Sequence, residues 1–127
     1  MQPFTELKVW QHAHRLALDV YRATRSFPPD ERFGLTSQVR RSAGAVGANI
    51  AEGTKARHAA DYARSLNIAE KETVETENHL MLARDLGYAR EADVANLLAE
   101  IDMVGRMLNA LRVRVEASAR GRRDSRP

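Results

Sequence analysis

The sequence contains no cysteine among its 127 residues. This absence excludes a disulfide framework, a thiolate zinc site, an iron–sulfur cluster and a cysteine nucleophile. Aromatic residues make up only 6% of the chain, and there are four prolines and seven glycines. Because β-strands are enriched in aromatic and β-branched residues, this composition favours a helical domain with an aliphatic, alanine-rich interior.

The sequence also lacks a long apolar run. No uncharged apolar stretch reaches the ~18 residues of a membrane-spanning helix, and the N-terminal residues lack the continuous apolar segment of a signal peptide. The length suits a single domain. We therefore expect a soluble, cytoplasmic, single-domain protein with no membrane partner.

Charge is distributed unevenly along the chain, although the net charge is only +3. Residues 7–57 carry nine lysines and arginines against four acids, residues 58–111 carry five against ten, and residues 112–127 carry six against two. Opposed patches can steer a protein onto a second copy of itself or onto an anionic partner. Arginine outnumbers lysine by 17 to 3, which suits phosphate or carboxylate recognition but also follows from codon bias in a GC-rich genome.

Apolar positions at spacings of three and four predict four helices. Thr5 is the expected N-cap of the first helix, which two prolines end after Ser26. Gly53 is expected to close the second helix in a left-handed conformation, and Gly87 marks a turn between the last two. The predicted helices are residues 5–26, 35–53, 59–87 and 94–115.

The continuous apolar seams of these helices favour shallow crossing angles. We therefore predict an all-α fold, an antiparallel up-down-up-down four-helix bundle formed by residues 1–118. Residues 119–127 are rich in arginine and lack apolar periodicity, so they are expected to form a disordered basic tail.

Two features suggest contacts beyond a single bundle. Gly44 and Gly47 lie inside the second helix, where each costs about 1 kcal/mol relative to alanine. Close approach of a neighbouring helix would compensate for this cost, whereas a local kink or fraying is the alternative. Met103 and Met107 form a second apolar stripe beside the core seam of the fourth helix. One four-helix core does not easily cover both surfaces, so the sequence predicts a homo-oligomer.

The sequence offers little support for catalysis. A di-metal carboxylate bundle requires Glu-x-x-His motifs, and none occurs; the nearest pair, Glu75 and His79, is spaced i, i+4. No nucleophile elbow or phosphate-binding glycine loop is present. We therefore expect no catalytic residues, no cofactor and no metal. A small metal-binding or enzymatic bundle is the alternative.

The second helix carries a polar set that comprises Gln38, Arg40, Arg41, Asn49 and Glu52. Its two arginines either contact phosphate or pair with the acidic run Glu70, Glu72, Glu75 and Glu77 of the third helix; we favour pairing because the two patches have opposite charge. Other basic residues extend the possible nucleic-acid surface. The candidate contacts are Lys8, Arg15, Arg22, Arg25, Arg40, Arg41, Arg120, Arg122 and Arg123.

Several motifs, taken in order, resemble one known family. They are Leu7-Lys-Val-Trp10-Gln11, Phe27-Pro28, Glu31-Arg-Phe-Gly34-Leu35-Thr36-Ser37-Gln38 and Asn49-Ile-Ala-Glu-Gly53. These residues resemble the four-helix bundle proteins encoded in intervening sequences of bacterial 23S ribosomal RNA genes. The resemblance covers about residues 4–111. The sequence departs from the family pattern at two places. Gly47 stands where proline is common in the family, and Lys71-Glu72 stands where Gly-Ser is common.

The resemblance implies an up-down bundle that associates as a ring of five. It also implies a relationship to the accessory protein of diversity-generating retroelements, which engages a reverse transcriptase and nucleic acid. The family has no assigned catalytic residues, so Trp10, Gln38, Arg41, Asn49 and Glu52 are carried over only as structural or interface positions. The leading hypothesis is a non-enzymatic oligomeric protein that contacts RNA or a nucleic-acid-bound partner. A purely structural scaffold remains the other alternative.

Overall fold

The computed structural model describes residues 3–124, with side chains as far as Gly121. Over this range the fold is all-α, as predicted, and no strand is present. Two short 3-10 turns, Phe4–Glu6 and Pro29–Glu31, precede the first and second helices. The four helices are α1 (Lys8–Thr24), α2 (Leu35–Thr54), α3 (Ala59–Asp85) and α4 (Glu91–Asp124).

The start of α1 differs from the prediction. Thr5 lies in the first 3-10 turn, and α1 begins after Leu7, which has an extended backbone and provides no side-chain cap. The Gln11 side chain instead donates a hydrogen bond to the Thr5 carbonyl at 3.0 Å, and the Phe4 ring packs on Trp10 with centroids 5.2 Å apart. These contacts hold the entering chain against the first turns of α1.

Gly53 also has a different role from the one predicted. It lies within α2 and is buried, and Gly87, with φ of 78°, is the one described residue with a positive φ. A Cβ at position 53 would lie 2.8 Å from Tyr62 Cδ1 and 3.0 Å from Ser65 Cβ. Gly53 is therefore required for the close approach of α3 to α2, while the predicted turn at Gly87 is confirmed.

The buried residues form two apolar clusters along the bundle. On α4 the predicted seam is confirmed: the side chains of Val94, Leu97, Ile101, Val104 and Leu108 are buried. The contact between α2 and α3 includes a polar pair, because Ser42 on α2 and Thr76 on α3 are fully buried and their hydroxyl oxygens lie 2.7 Å apart. A hydrogen bond therefore crosses the α2–α3 contact inside the core.

The C-terminal end of α4 lies beyond the predicted boundary. The helix continues to Asp124, whereas the sequence places the end of the folded domain at residue 118. Alanine and arginine have high helix propensity, so residues 119–124 extend a formed helix at little cost. Residues 125–127, which belong to the tail predicted to be disordered, lie outside the described residues.

Candidate functional site

The most apolar concave surface lies between α1 and α2 and is called the α1–α2 groove. It has a volume of about 500 Å³ and is lined almost entirely by apolar and small residues. Two of its large side chains are well exposed, Leu18 at 43% and Tyr21 at 47%. The residues that line it are Phe4, Trp10, Ala13, His14, Ala17, Leu18, Tyr21, Gly44, Gly47, Ala48 and Ala51.

Trp10 sets one wall of this groove. Its indole stacks on the His14 ring with centroids 4.7 Å apart, and its Nε1 lies 3.5 Å from the position of a Cβ on Gly47. Gly44, in contrast, is exposed and has no heavy atom within 4 Å of its Cβ position. The packing expected at both glycines is thus made by α1 at Gly47, whereas no described residue makes it at Gly44.

The two adjacent arginines of α2 have different partners. Arg41 Nη2 lies 2.5 Å from Glu75 Oε2 and 3.4 Å from Glu72 Oε2 on α3. This contact lowers the pKa of Glu75, whereas burial raises the pKa of Glu72. Arg40 instead donates to Thr24 Oγ1 at 2.8 Å and covers the Tyr21 ring. Pairing with the acidic run therefore describes Arg41 but not Arg40.

The remaining polar residues singled out in the sequence are scattered. Arg22 pairs with Asp19 at 3.0 Å, and Asn49 donates to the Ala45 carbonyl within its own helix at 2.8 Å. Six more of them are exposed: Lys8, Arg15, Arg25, Gln38, Glu52 and Arg120. The side chains of Arg122 and Arg123 lie outside the described residues.

The methionine stripe of α4 is partly covered. Met103 is 37% exposed, whereas Met107 is half-buried against the second core cluster. Ala110, one turn further on, is exposed. Met103 and Ala110 therefore leave a narrow apolar strip on the surface of α4.

A second cavity, which the sequence pattern did not predict, lies between α1 and α4 and is called the α1–α4 cleft. It has a volume of about 780 Å³, and charged residues including Asp19, Arg22, Arg90, Asp93 and Glu100 line it. Burial raises the pKa of Glu100 to about 7, with a further contribution from its hydrogen bond to Asp19. This pairing depends on the relative register of two helices that are distant in sequence, so helical periodicity alone does not reveal it.

A metal centre finds no support in the described residues, where no three His, Asp or Glu side chains gather as ligands. The Glu75 and His79 pair does meet, with Oε1 and Nε2 3.5 Å apart, but Glu75 also binds Arg41. Within the same range, no helix is both long and apolar enough to cross a bilayer.

The motifs noted in the sequence agree with a comparison against known families. A family model described as 23S rRNA-intervening sequence protein matches residues 5–110. The chain belongs to this family. The resemblance inferred from the motifs is therefore confirmed, and the match covers α1, α2, α3 and most of α4 of this 23S rRNA-intervening sequence protein.

A solved structure shows the same fold. It is a crystal structure at 1.70 Å resolution of a protein of unknown function from the S23 ribosomal protein family of Bacteroides thetaiotaomicron. The two chains share 26% sequence identity with a TM-score of 0.74, over 82% of this chain and 97% of that one. No curated protein matches the sequence.

Proposed function

We propose that this member of the 23S rRNA-intervening sequence protein family is a non-enzymatic interaction protein. It assembles into a homo-oligomer through the α1–α2 groove, and the assembly engages RNA or a nucleic-acid-associated protein such as a reverse transcriptase. The observation that carries the proposal is the exposed apolar groove itself. Contiguous apolar surface of this kind marks interaction sites in proteins that are otherwise well packed.

The protomer of this assembly is an antiparallel up-down-up-down bundle. Two contacts between α2 and α3 support it, because Gly53 meets Tyr62 while the earlier Ser42 meets the later Thr76. The α3–α4 contacts support it in the same way: Arg112 pairs with Glu70, whereas the earlier Gly105 lies against the later Thr73. In each pair of helices, the residue numbers run in opposite directions.

The second copy is favoured as the occupant of the groove by shape and by charge. Gly44, Ala48 and Ala51 give α2 a smooth face on which another helix can lie closely. The apolar strip at Met103 and Ala110 on α4 offers a second, different surface. Residues 7–57, which include most of the groove, carry a net positive charge, and residues 58–111, which include the strip on α4, carry a net negative charge. Contact between the groove of one copy and the strip of the next, a head-to-tail contact, is therefore electrostatically favourable.

Head-to-tail contacts use two different surfaces of each protomer. Such an arrangement forms a closed ring when the rotation between copies closes. The family resemblance suggests five copies. Light scattering of the purified 14.2 kDa protein should give a mass near five protomers. A dimer or tetramer would contradict only the ring size, whereas a monomer at micromolar concentration would contradict the assembly.

Gly44→Leu distinguishes the groove from other surfaces. The Cβ position of Gly44 faces open space within the chain, so leucine fits the protomer and improves helix propensity by up to about 1 kcal/mol. In the assembly the same side chain would hold the second copy away. We expect an unchanged or higher melting temperature together with a loss of oligomer.

Gly121→Leu is the matched control. Gly121 is also helical and exposed, with nothing within 4 Å of its Cβ position, but it lies near the end of α4. This variant should retain the mass of the wild type. If Gly44→Leu retains it as well, the α1–α2 groove is not the interface.

A further inference from the structure

The loop between α2 and α3 meets the C-terminal part of α4 at one end of the bundle. A cavity of about 310 Å³ lies where they meet, and its lining includes Arg57, His58 and Tyr62 on one side and Val115 and Ser118 on the other. Burial raises the pKa of Tyr62, and the charge of nearby Arg114 opposes this shift. Arg114 therefore lies close to the same cavity.

Exposed basic residues lie on the α2–α3 loop and on the C-terminal part of α4, the two elements that meet at this cavity, and we call them the basic end. They are Lys55, Arg57, His58, Arg114 and Arg120. None of them forms an ion pair with another described residue. Two neighbouring acids are already engaged, because Asp61 pairs with Arg64 and Glu116 pairs with Arg112. Glu52, at the end of α2, is an exposed acid close in sequence to Lys55.

Several basic residues elsewhere on the surface have partners within the fold. On α1 and α2, Arg22 and Arg41 pair with carboxylates, and Arg40 is held by Thr24 and Tyr21. At the opposite end of the bundle, Arg84 and Arg90 pair with Asp85 and Asp93. The basic residues of the basic end, in contrast, remain available to an external anion.

We propose that the basic end binds the phosphate backbone of a nucleic acid. This inference rests on the nucleic-acid association proposed above and assigns its location to residues outside the arginines of α1 and α2. Arg57 can contact a phosphate with two parallel hydrogen bonds, whereas Lys55 acts as a mobile point charge. Both belong to the short loop between α2 and α3, and Arg57 lines the cavity.

The long α4 carries two of these basic residues, Arg114 and Arg120. They are six residues apart, which corresponds to about 9 Å along the helix axis and about 120° around it. Assembly would present several basic ends and raise the apparent affinity through effective concentration.

Backbone recognition of this kind has a defined signature. Each phosphate contact releases condensed counterions, so binding weakens steeply with salt and depends little on base sequence. Lys55→Glu/Arg57→Glu should therefore reduce the affinity for a fluorescein-labelled RNA hairpin by at least about tenfold. The slope of log K against log salt should become shallower by about two, one contact for each residue removed.

Arg25→Glu/Arg32→Glu is the matched control, since it makes the same change in net charge with exposed residues at the other end of the bundle. We expect it to retain most of the affinity and the full salt slope. Thermal melting and light scattering should show that both double variants are folded and assembled like the wild type.

The outcomes separate this inference from the broader proposal. If the wild type binds the hairpin and Lys55→Glu/Arg57→Glu binds it equally well, or if the control loses as much affinity, the basic end is not the contact surface. Polyglutamate is a competitor, added at the same total charge as unlabelled RNA. If it displaces the labelled hairpin as effectively as unlabelled RNA does, and the salt slope of binding is unchanged, the basic end binds acidic protein instead of nucleic acid. If the wild type fails to bind at low salt, the nucleic-acid association itself is wrong.

Discussion

The carboxyl group of Glu100 on α4 faces that of Asp19 on α1 across the α1–α4 cleft. Glu100 Oε2 is buried and has no donor among the described residues. A hydrogen bond between two carboxyl groups requires that one of them carry a proton. Burial and this hydrogen bond together raise the pKa of Glu100 to about 7, and only Arg15 opposes the shift.

Glu100→Gln should therefore change the pH dependence of stability. The pKa of Glu100 has its ordinary value of 4.5 in the unfolded chain and is about 7 in the folded protein. Between these two pH values the folded protein therefore keeps a proton on Glu100 that the unfolded chain has released. The free energy of unfolding thus declines as pH rises from about 4.5 to about 7. Glutamine supplies a neutral donor at all pH values, so the variant should melt at a higher temperature than the wild type at pH 8.

Thermal melts of both proteins between pH 5 and pH 8 test this expectation. The difference in melting temperature should shrink towards pH 5, where Glu100 is protonated in the wild type. Glu91→Gln is a suitable control, because Glu91 is an exposed acid in the first turn of the same helix. Parallel curves for the wild type and Glu100→Gln would show that the carboxyl pair does not titrate in this range.

Two glycines of α2 should respond in opposite ways to the same substitution. Gly47→Ala places a Cβ at 3.5 Å from Trp10 Nε1, an ordinary contact, so the gain in helix propensity should stabilise the protein by up to about 1 kcal/mol. Gly53→Ala places a Cβ at 2.8 Å from Tyr62 Cδ1. Overpacking of this kind costs about 1–3 kcal/mol.

Denaturant unfolding of the two variants measures both effects. Tyr62→Leu in the Gly53→Ala background removes the ring that the new methyl group meets, so the two substitutions should be non-additive. If Gly53→Ala is as stable as the wild type, α3 does not depend on this glycine for its approach. If Gly47→Ala is strongly destabilised, the Trp10 side chain leaves less space for the new methyl group than the distances indicate.

The helices were predictable because their apolar spacing follows directly from helix geometry. The seam that includes Ile101 and Leu108 is buried as the period of three and four requires. Helix ends were less predictable, because Thr5 has the chemistry of an N-cap yet lies in a 3-10 turn. Local residue preference was outweighed there by the packing of Phe4 on Trp10.

The candidate surfaces were only partly predictable. The acidic partners of Arg41 followed from opposed charge, since complementary patches attract. The Asp19–Glu100 pair and the basic end did not follow, because each joins side chains from elements distant in sequence. Their meeting depends on helix register and on the path of the α2–α3 loop, and neither is encoded in a periodic pattern.

Glu31 links two parts of the chain that are far apart in sequence. Its Oε1 accepts a hydrogen bond from the Leu35 amide at the start of α2, at 3.2 Å, and its Oε2 accepts one from the Tyr88 hydroxyl at 2.8 Å. The Tyr88 ring also packs on Phe27, with centroids 5.8 Å apart. One carboxylate thus joins the beginning of α2 to the turn before α4.

Tyr88→Phe should therefore lower the melting temperature of the protein, because it removes one hydrogen bond to the Glu31 carboxylate and keeps the ring contact with Phe27. The hydrogen bond also raises the pKa of Tyr88 above its ordinary value. In an alkaline titration followed by tyrosinate absorbance, the variant should lose a component that titrates above the ordinary range of tyrosine. Tyr21→Phe is the control. Tyr21 is exposed and its hydroxyl has no hydrogen-bond partner among the described residues, so this variant should leave both the stability and that component of the titration unchanged. Equal stability of the two variants would show that the Glu31–Tyr88 contact does not stabilise the fold.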